Sequence, residues 1–298
     1  MNNSIRSHSQ TRTDRMLGLI LMIPVAVIIV GIMGIPLVKA IYLSFTDKTV
    51  GQPETFIGLE NYFTLFSDPT YWQVIRNTFI YTAGSVGLKL LFGVILAVIL
   101  NKKFIGCGFF RTVLLIPWAL PGTVAATTWR WMFDSTYGII NSLLLSWGVI
   151  SVPIAWLSDP KLTLYTAMIV NIWRGVPFFI FSLLGALQTI DNQMYEAAYL
   201  DGAGTLSQFW FITLPSIYPV LKITTLLSAI WTFNDFENVY LVTGGGPVYA
   251  SSVISTYTYD LAFIQNSFGQ SLSAAVSIIP VLLLIIIISQ RSMKEKVN

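Results

Sequence analysis

Six apolar runs, separated by shorter polar stretches, organise this 298-residue chain. They fall at 17–45, 77–100, 112–133, 162–189, 215–234 and 272–290. Each is close to or above the ~20 residues that a helix needs to cross about 30 Å of hydrocarbon. The pattern therefore predicts an all-α, polytopic membrane protein with six transmembrane helices. Residues 17–38 carry no charge. That is longer than the roughly 7–15 apolar residues of a cleaved leader, so the first run is expected to be a retained span. Pro117 and Pro121 should break the third. The expected organisation is a polar tail 1–16, a first helix 17–45, an external loop 46–76, a five-helix core 77–290 and a tail 291–298.

Composition agrees: 54% of residues are hydrophobic and 10% charged, against roughly 25% charged in a soluble domain. The net charge of +3 says less than where the charges sit. With both ends inside, cytoplasmic segments hold Arg6, Arg12, Arg15, Lys102, Lys103, Arg111, Arg291, Lys294 and Lys296. The outer side holds Lys48 and Lys161, with Arg76 and Arg130 at its edges. Lysine and arginine accumulate in cytoplasmic loops, so both termini are expected in the cytoplasm. The connection between the fourth and fifth spans has no basic residue and is placed inside by parity.

Catalytic chemistry is not visible. One cysteine, Cys107, excludes an intrachain disulfide and a cysteine-cluster metal site, and one histidine, His8, lies in the polar tail. There is no glycine-rich phosphate loop ending in Lys-Ser/Thr and no pair of carboxylates inside a span. No catalytic residue, metal or bound cofactor is expected, and no nucleic-acid partner.

Charged groups inside spans are expensive and mark function by default. Lys89, Arg174 and Lys222 are the three. Lys89 and Lys222 fit either snorkelling, a structural pair or a functional role. Arg174 stands beside Gly175 and Pro177, which free backbone groups that only protein or a water-filled cavity tolerates. It fits a pathway lining or a structural kink. At the outer end of the fifth run, Asn234 and Asp235 can bond hydroxyls while Trp231, Phe233 and Phe236 supply flat apolar faces, a pairing suited to sugars. Thr243 is followed by Gly244, Gly245, Gly246 and Pro247, a turn-rich outer loop.

The connection 195–215 has its own grammar. Asp191 or Asn192 can cap a short helix and Gly202 can end it. Thr205 and Gln208 have capping-box spacing for a second helix, and Pro215 suits the first turn of the next span. The prediction is helix–Gly–helix across a membrane face, within 191–214.

Glu196-Ala197-Ala198, with Asp201, Gly202 six residues after the glutamate, and then Ile212, Leu214 and Pro215, resembles the EAA motif of integral membrane subunits of binding-protein-dependent ABC importers. Phe233-Asn-Asp-Phe, Tyr240-Leu-Val-Thr-Gly-Gly-Gly-Pro247, Phe56-Ile-Gly-Leu-Glu-Asn-Tyr62 and Ile116-Pro-Trp-Ala-Leu-Pro121 are similar to carbohydrate permeases of the maltose and glycerol-3-phosphate type. The chain departs from the maltose permease in having six expected spans rather than eight. The resemblance implies the type I ABC importer permease fold in the bacterial or archaeal cell membrane. It implies a second homologous permease, two cytoplasmic ATPase subunits that use ATP and Mg, and an extracytoplasmic solute-binding protein. It assigns Glu196 to Pro215 to ATPase coupling and the Gly244–Pro247 loop to binding-protein docking. The sugar pathway would use Phe233, Asn234, Gly175 and Phe178, with Arg174 and Trp231 beside them; Phe178 offers no hydroxyl there. The alternatives are an ABC permease for another solute, such as an amino acid or phosphate ester, or an ion-coupled carrier.

Overall fold

The computed structural model describes residues 3–102, 104–284 and 287. Lys103, Arg291, Lys294, Lys296 and the tail 291–298 lie outside the described residues, as do the last residues of the sixth expected span and the side chains of Arg6, His8, Arg12 and Arg15. The described residues are helical, with two isolated bridges and no strand. They divide into two compact units: Met1–Leu65 with Leu261–Val276, and Phe66–Asp260 with Ser277–Asn298.

In the first unit, the helix Met16–Leu43 has none of its apolar window buried. At ~1.5 Å per residue it exceeds the hydrocarbon thickness. It widens to a π turn over Ile29–Gly34, and the Ile35 N–H bonds back to the Val30 carbonyl. Pro36 follows, and a wider turn relieves the clash of a proline ring with the preceding turn. The buried Asn61 then closes the loop, donating to the carbonyls of Ser44 at 2.9 Å and Thr46 at 2.7 Å.

The second unit is built on the helices Pro69–Asn101, Thr163–Leu187 and Thr205–Phe233. Asp68 caps the first by accepting from the Thr70 N–H at 2.8 Å, with Pro69 in the opening turn. That cap is why this span starts before the expected residue 77. Ala97, Leu183, Leu187 and Ile217 pack at one end. Tyr81, Leu164, Ala167, Met168, Val239 and Val253 pack at the other. The short helix Ile254–Tyr259 sets Tyr257 against Asp68, with the hydroxyl donating at 3.2 Å. Burial, then the Asp68 carboxylate, pushes that hydroxyl above the usual tyrosine range.

Three expectations need correction. The third span breaks at Pro121, as expected, where Cys107–Ala119 and Gly122–Met132 meet at 96°, but not at Pro117, which lies inside Cys107–Ala119. Leu120, before Pro121, is extended at ψ 138, because a proline pushes the residue before it out of the helical region. Thr205 and Gln208 form no capping box, since Gly204 is the N-cap and Thr205 is already helical. Gln208 instead donates to the Ala203 carbonyl at 3.2 Å. Pro215 does not open a new helix. Thr205–Phe233 is continuous, through a π turn at Phe209–Thr213. As at Pro36, the residue before the proline, Leu214, bonds five residues back, to the Phe209 carbonyl. Among the described residues, four helices are long and apolar enough to span, or five if the bent pair counts as one. Of the sixth expected span, the described part is the helix Phe268–Leu284.

Candidate functional site

A cavity of about 270 Å³ opens between the three core helices. Its polar wall includes Lys89, Asn171, Arg174, Ser228, Thr232 and Asp235, and Trp118, Phe178 and Trp231 supply its aromatic faces. Lys89 is 4% exposed and donates to Thr232 Oγ1 at 3.0 Å. Its stem passes over Gly175, where a side chain would require Lys89 to shift. The rings of Phe178 and Trp231 stand 5.0 Å apart.

Asp235 ties together the elements at one end of this cavity. Its Oδ2 accepts from the Tyr81 hydroxyl and from Asn171 Nδ2, each at 2.6 Å. Its Oδ1 accepts the Asn238 N–H at 3.2 Å. Asn238 in turn donates to Tyr81 at 2.8 Å and to the Ala167 carbonyl at 2.9 Å. One carboxylate therefore joins Pro69–Asn101, Thr163–Leu187 and the short helix Glu237–Thr243. Bonds to an ionised acceptor are about twice as strong as neutral ones. Beside it, Arg174 and Glu237 pair at 3.6 Å, each more than a third exposed. Such a pair contributes little stability, but it puts a cation and an anion on the rim. Gly122, at the break between the half-helices, leaves space for both.

The polar connection forms the helix Asn192–Leu200. Asp191 is its cap, accepting from the Gln193 N–H at 2.9 Å. Gly202 ends it at φ +83. The Gly202 N–H bonds the Tyr199 carbonyl at 3.0 Å and the Ala203 N–H bonds the Ala198 carbonyl at 2.8 Å. This paired closure needs a left-handed residue, which glycine adopts freely. The Tyr195 hydroxyl lies 3.0 Å from Thr213 Oγ1, fastening the short helix to the π turn within Thr205–Phe233.

Residues 89–294 match the family described as the binding-protein-dependent transport system inner membrane component. The chain belongs to this family. The trehalose/maltose transport system permease protein MalF of Thermococcus litoralis is 33% identical over 287 residues, covering 96% of this chain and 95% of that protein. The sulfoquinovosyl glycerol transport system permease protein SmoG of Agrobacterium fabrum is also 33% identical, covering 88% and 86%. The diacetylchitobiose uptake system permease protein DasB of Streptomyces coelicolor is 30% identical, covering 94% and 87%. In fold, the chain is similar to a chain of a bacterial ABC transporter that imports alginate, with a TM-score of 0.82 at 22% identity over 97% of this chain and 99% of that one. The protein is a multi-pass membrane component with the type I ABC importer permease fold.

The structure brings some of the expected site residues together and separates others. Arg174, Gly175, Phe178 and Trp231 line the cavity. Phe233 does not: it is 2% exposed and packs edge-on against Phe79 at 6.0 Å. Nor does Asn234, which is exposed and turns its Nδ2 back onto the Ile230 carbonyl at 2.9 Å. The helix ends at Phe233, so the three-residue spacing from Trp231 to Asn234 no longer sets direction. Asp235 reaches the cavity instead. Lys89, Asn171, Ser228 and Thr232 were not in the expected site set. Lys89 was the most visible of them, as a charge within an apolar run. Lys222 lies over the Tyr218 ring at 4.7 Å.

In the connection, Glu196, Ala197, Asp201, Gly202 and Pro215 are exposed, and Ala198, Ile212 and Leu214 half-buried. The Gly244–Pro247 loop is tied down rather than free. Gly245 is buried, and Ser251 Oγ donates to Thr243 Oγ1 and to the Gly246 carbonyl, each at 2.8 Å. Asn77 adds bonds to the carbonyls of Tyr249, Ala250 and Ser252 at 3.1–3.2 Å.

Proposed function

We propose that this chain is one of two related permeases that together form the import pathway for a sugar or oligosaccharide. The observation that carries this reading is the lining of the 270 Å³ cavity. Three aromatic side chains share this lining with amide, hydroxyl and carboxylate groups, and a sugar presents apolar C–H faces and hydroxyl edges. Relatives named for trehalose/maltose and diacetylchitobiose transport support the same substrate class.

The two cytoplasmic ATPases dock, as a dimer, on the helices within residues 195–215, with Glu196, Ala197 and Ala198 among the contacts. They bind ATP and Mg and hydrolyse the nucleotide, while this chain transmits the motion without catalysing a reaction. A solute-binding protein on the other side meets the loop that carries Gly244 and Pro247. Both termini lie in the cytoplasm. Alternating access follows from rigid movement of the two permeases as the ATPases close and open.

The test is uptake into proteoliposomes holding this chain, its second permease, its ATPases and its binding protein. ATP-dependent uptake of maltose, trehalose or chitobiose is the expected result. Uptake of amino acids with no sugar accumulated would overturn the substrate class. Transport by this chain alone, driven by an ion gradient, would overturn the mechanism.

A further inference from the structure

A second cavity, of about 550 Å³, lies where the Pro69–Asn101 and Thr163–Leu187 helices end. Its wall includes Asn101, Lys102, Cys107, Arg111, Gln188 and Asn192. Two cations face it, and its lining holds no carboxylate. Arg111 is held in place by one bond, from Nη2 to the Leu100 carbonyl at 2.7 Å. Its Nε is buried with no hydrogen-bond partner among the described residues. Nothing in the lining balances the charges of Arg111 and Lys102, and a partly buried cation without an anion is costly. The planar fork of arginine matches phosphate oxygens, and lysine adds a point charge.

The surroundings specify where that anion comes from. The cavity stands at the membrane ends of two spanning helices, and beside it Ile105 and Phe109 are exposed apolar side chains. A polar, cationic hollow with an apolar margin suits a lipid whose head enters while its tails stay in hydrocarbon. We propose that this cavity binds the phosphate of an anionic phospholipid through Arg111 and Lys102. Asn192, the first residue of the helix that carries Glu196, shares the wall. The bound head group therefore sits against the start of that helix.

Cys107 is the chain's single cysteine, it is half-buried, and it lines the cavity. Its alkylation reports occupancy. The chain, with its partner subunits, is placed in nanodiscs of phosphatidylcholine alone or with added phosphatidylglycerol. N-ethylmaleimide, an uncharged reagent, is added, and the intact mass of this chain is followed. Phosphatidylglycerol should slow alkylation by roughly tenfold, the factor 1 + [L]/Kd for a site about nine-tenths filled. Arg111→Gln and Lys102→Gln, made separately, should each reduce that protection. Arg111 also holds a backbone carbonyl, whereas Lys102 is exposed, so the second variant separates lost binding from lost folding. Inorganic phosphate, added to the detergent-solubilised complex, is the other arm. Protection by phosphate but not by phosphatidylglycerol would overturn the lipid source and leave a soluble anion. Equal alkylation rates in every condition, or protection kept in both variants, would overturn the site.

Discussion

Lys89 occupies the space that a side chain on Gly175 would need. A Cβ at 175 would lie 2.5 Å from Lys89 Cε, 2.8 Å from Cδ and 3.0 Å from Nζ. The buried ammonium and the absent side chain form one feature in the wall of the cavity.

Gly175→Ala should therefore push the ammonium away from Thr232 and narrow the cavity. Overpacking of this kind costs roughly 1–3 kcal/mol. Uptake should fall by about tenfold or more, while the complex still assembles. Proteoliposome uptake, with size-exclusion chromatography of the complex, measures both. Normal uptake would mean that Lys89 finds another path and that the contact is incidental.

Asp235→Asn keeps the shape but removes a charge and turns one acceptor into a donor, facing either both Tyr81 and Asn171 or the Asn238 N–H. Leaving a buried group unsatisfied costs about 1–3 kcal/mol. The purified complex should unfold a few degrees lower, as differential scanning fluorimetry would read. An unchanged midpoint would show that the three helices hold together without this carboxylate.

Trp231→Ala and Asn234→Ala separate the cavity from the end of its helix. Trp231 forms an aromatic wall with Phe178, whereas the Asn234 side chain turns back to the carbonyl of Ile230 four residues earlier. Stacking a ring on an aromatic face contributes about 0.5–1.5 kcal/mol beyond area. Removing Trp231 should raise the substrate concentration for half-maximal uptake by roughly tenfold. Removing Asn234 should leave it unchanged. The opposite order would put Asn234 back in the pathway.

Gly202→Asp places a side chain at φ +83, where an L-residue costs about 1–2 kcal/mol, and adds a charge next to Asp201. Transport and stimulated ATP hydrolysis should both be lost, with normal amounts of protein in the membrane. Tyr195→Phe removes only the bond to Thr213, about 1 kcal/mol, and should lower coupled ATP hydrolysis partially. Full transport by Gly202→Asp would separate this turn from coupling.

The orientation is open to a direct measurement. Cys107 lies between Asn101 and Arg111 and should be cytoplasmic. A membrane-impermeant thiol reagent should therefore label it only after cells are permeabilised. Labelling in intact cells would reverse the orientation proposed for the chain, and with it the side on which the Asn192–Leu200 helix lies.

Features that depend on neighbours in the chain could be read from the sequence alone. Hydropathy located the spanning helices to within a few residues at Met16–Leu43 and Thr163–Leu187, because burial in lipid depends on the length and composition of one segment. The turn at Gly202 was readable too, because a left-handed closure depends on a single residue. The break beside Pro121 was foreseen, but its 96° angle is set by the packing of both halves. Capping was less predictable. A Thr–Gln spacing suits many helix starts, and here Gly204 begins the helix one residue earlier. The cavity lining depended on tertiary structure. Lys89, Asn171 and Asp235 come from three distant segments, and no local pattern shows that they meet. Whether Asn234 or Asp235 faces inward depended on where the helix stopped: beyond Phe233 the chain leaves helical periodicity, and packing against Tyr81 and Asn238 then chose Asp235.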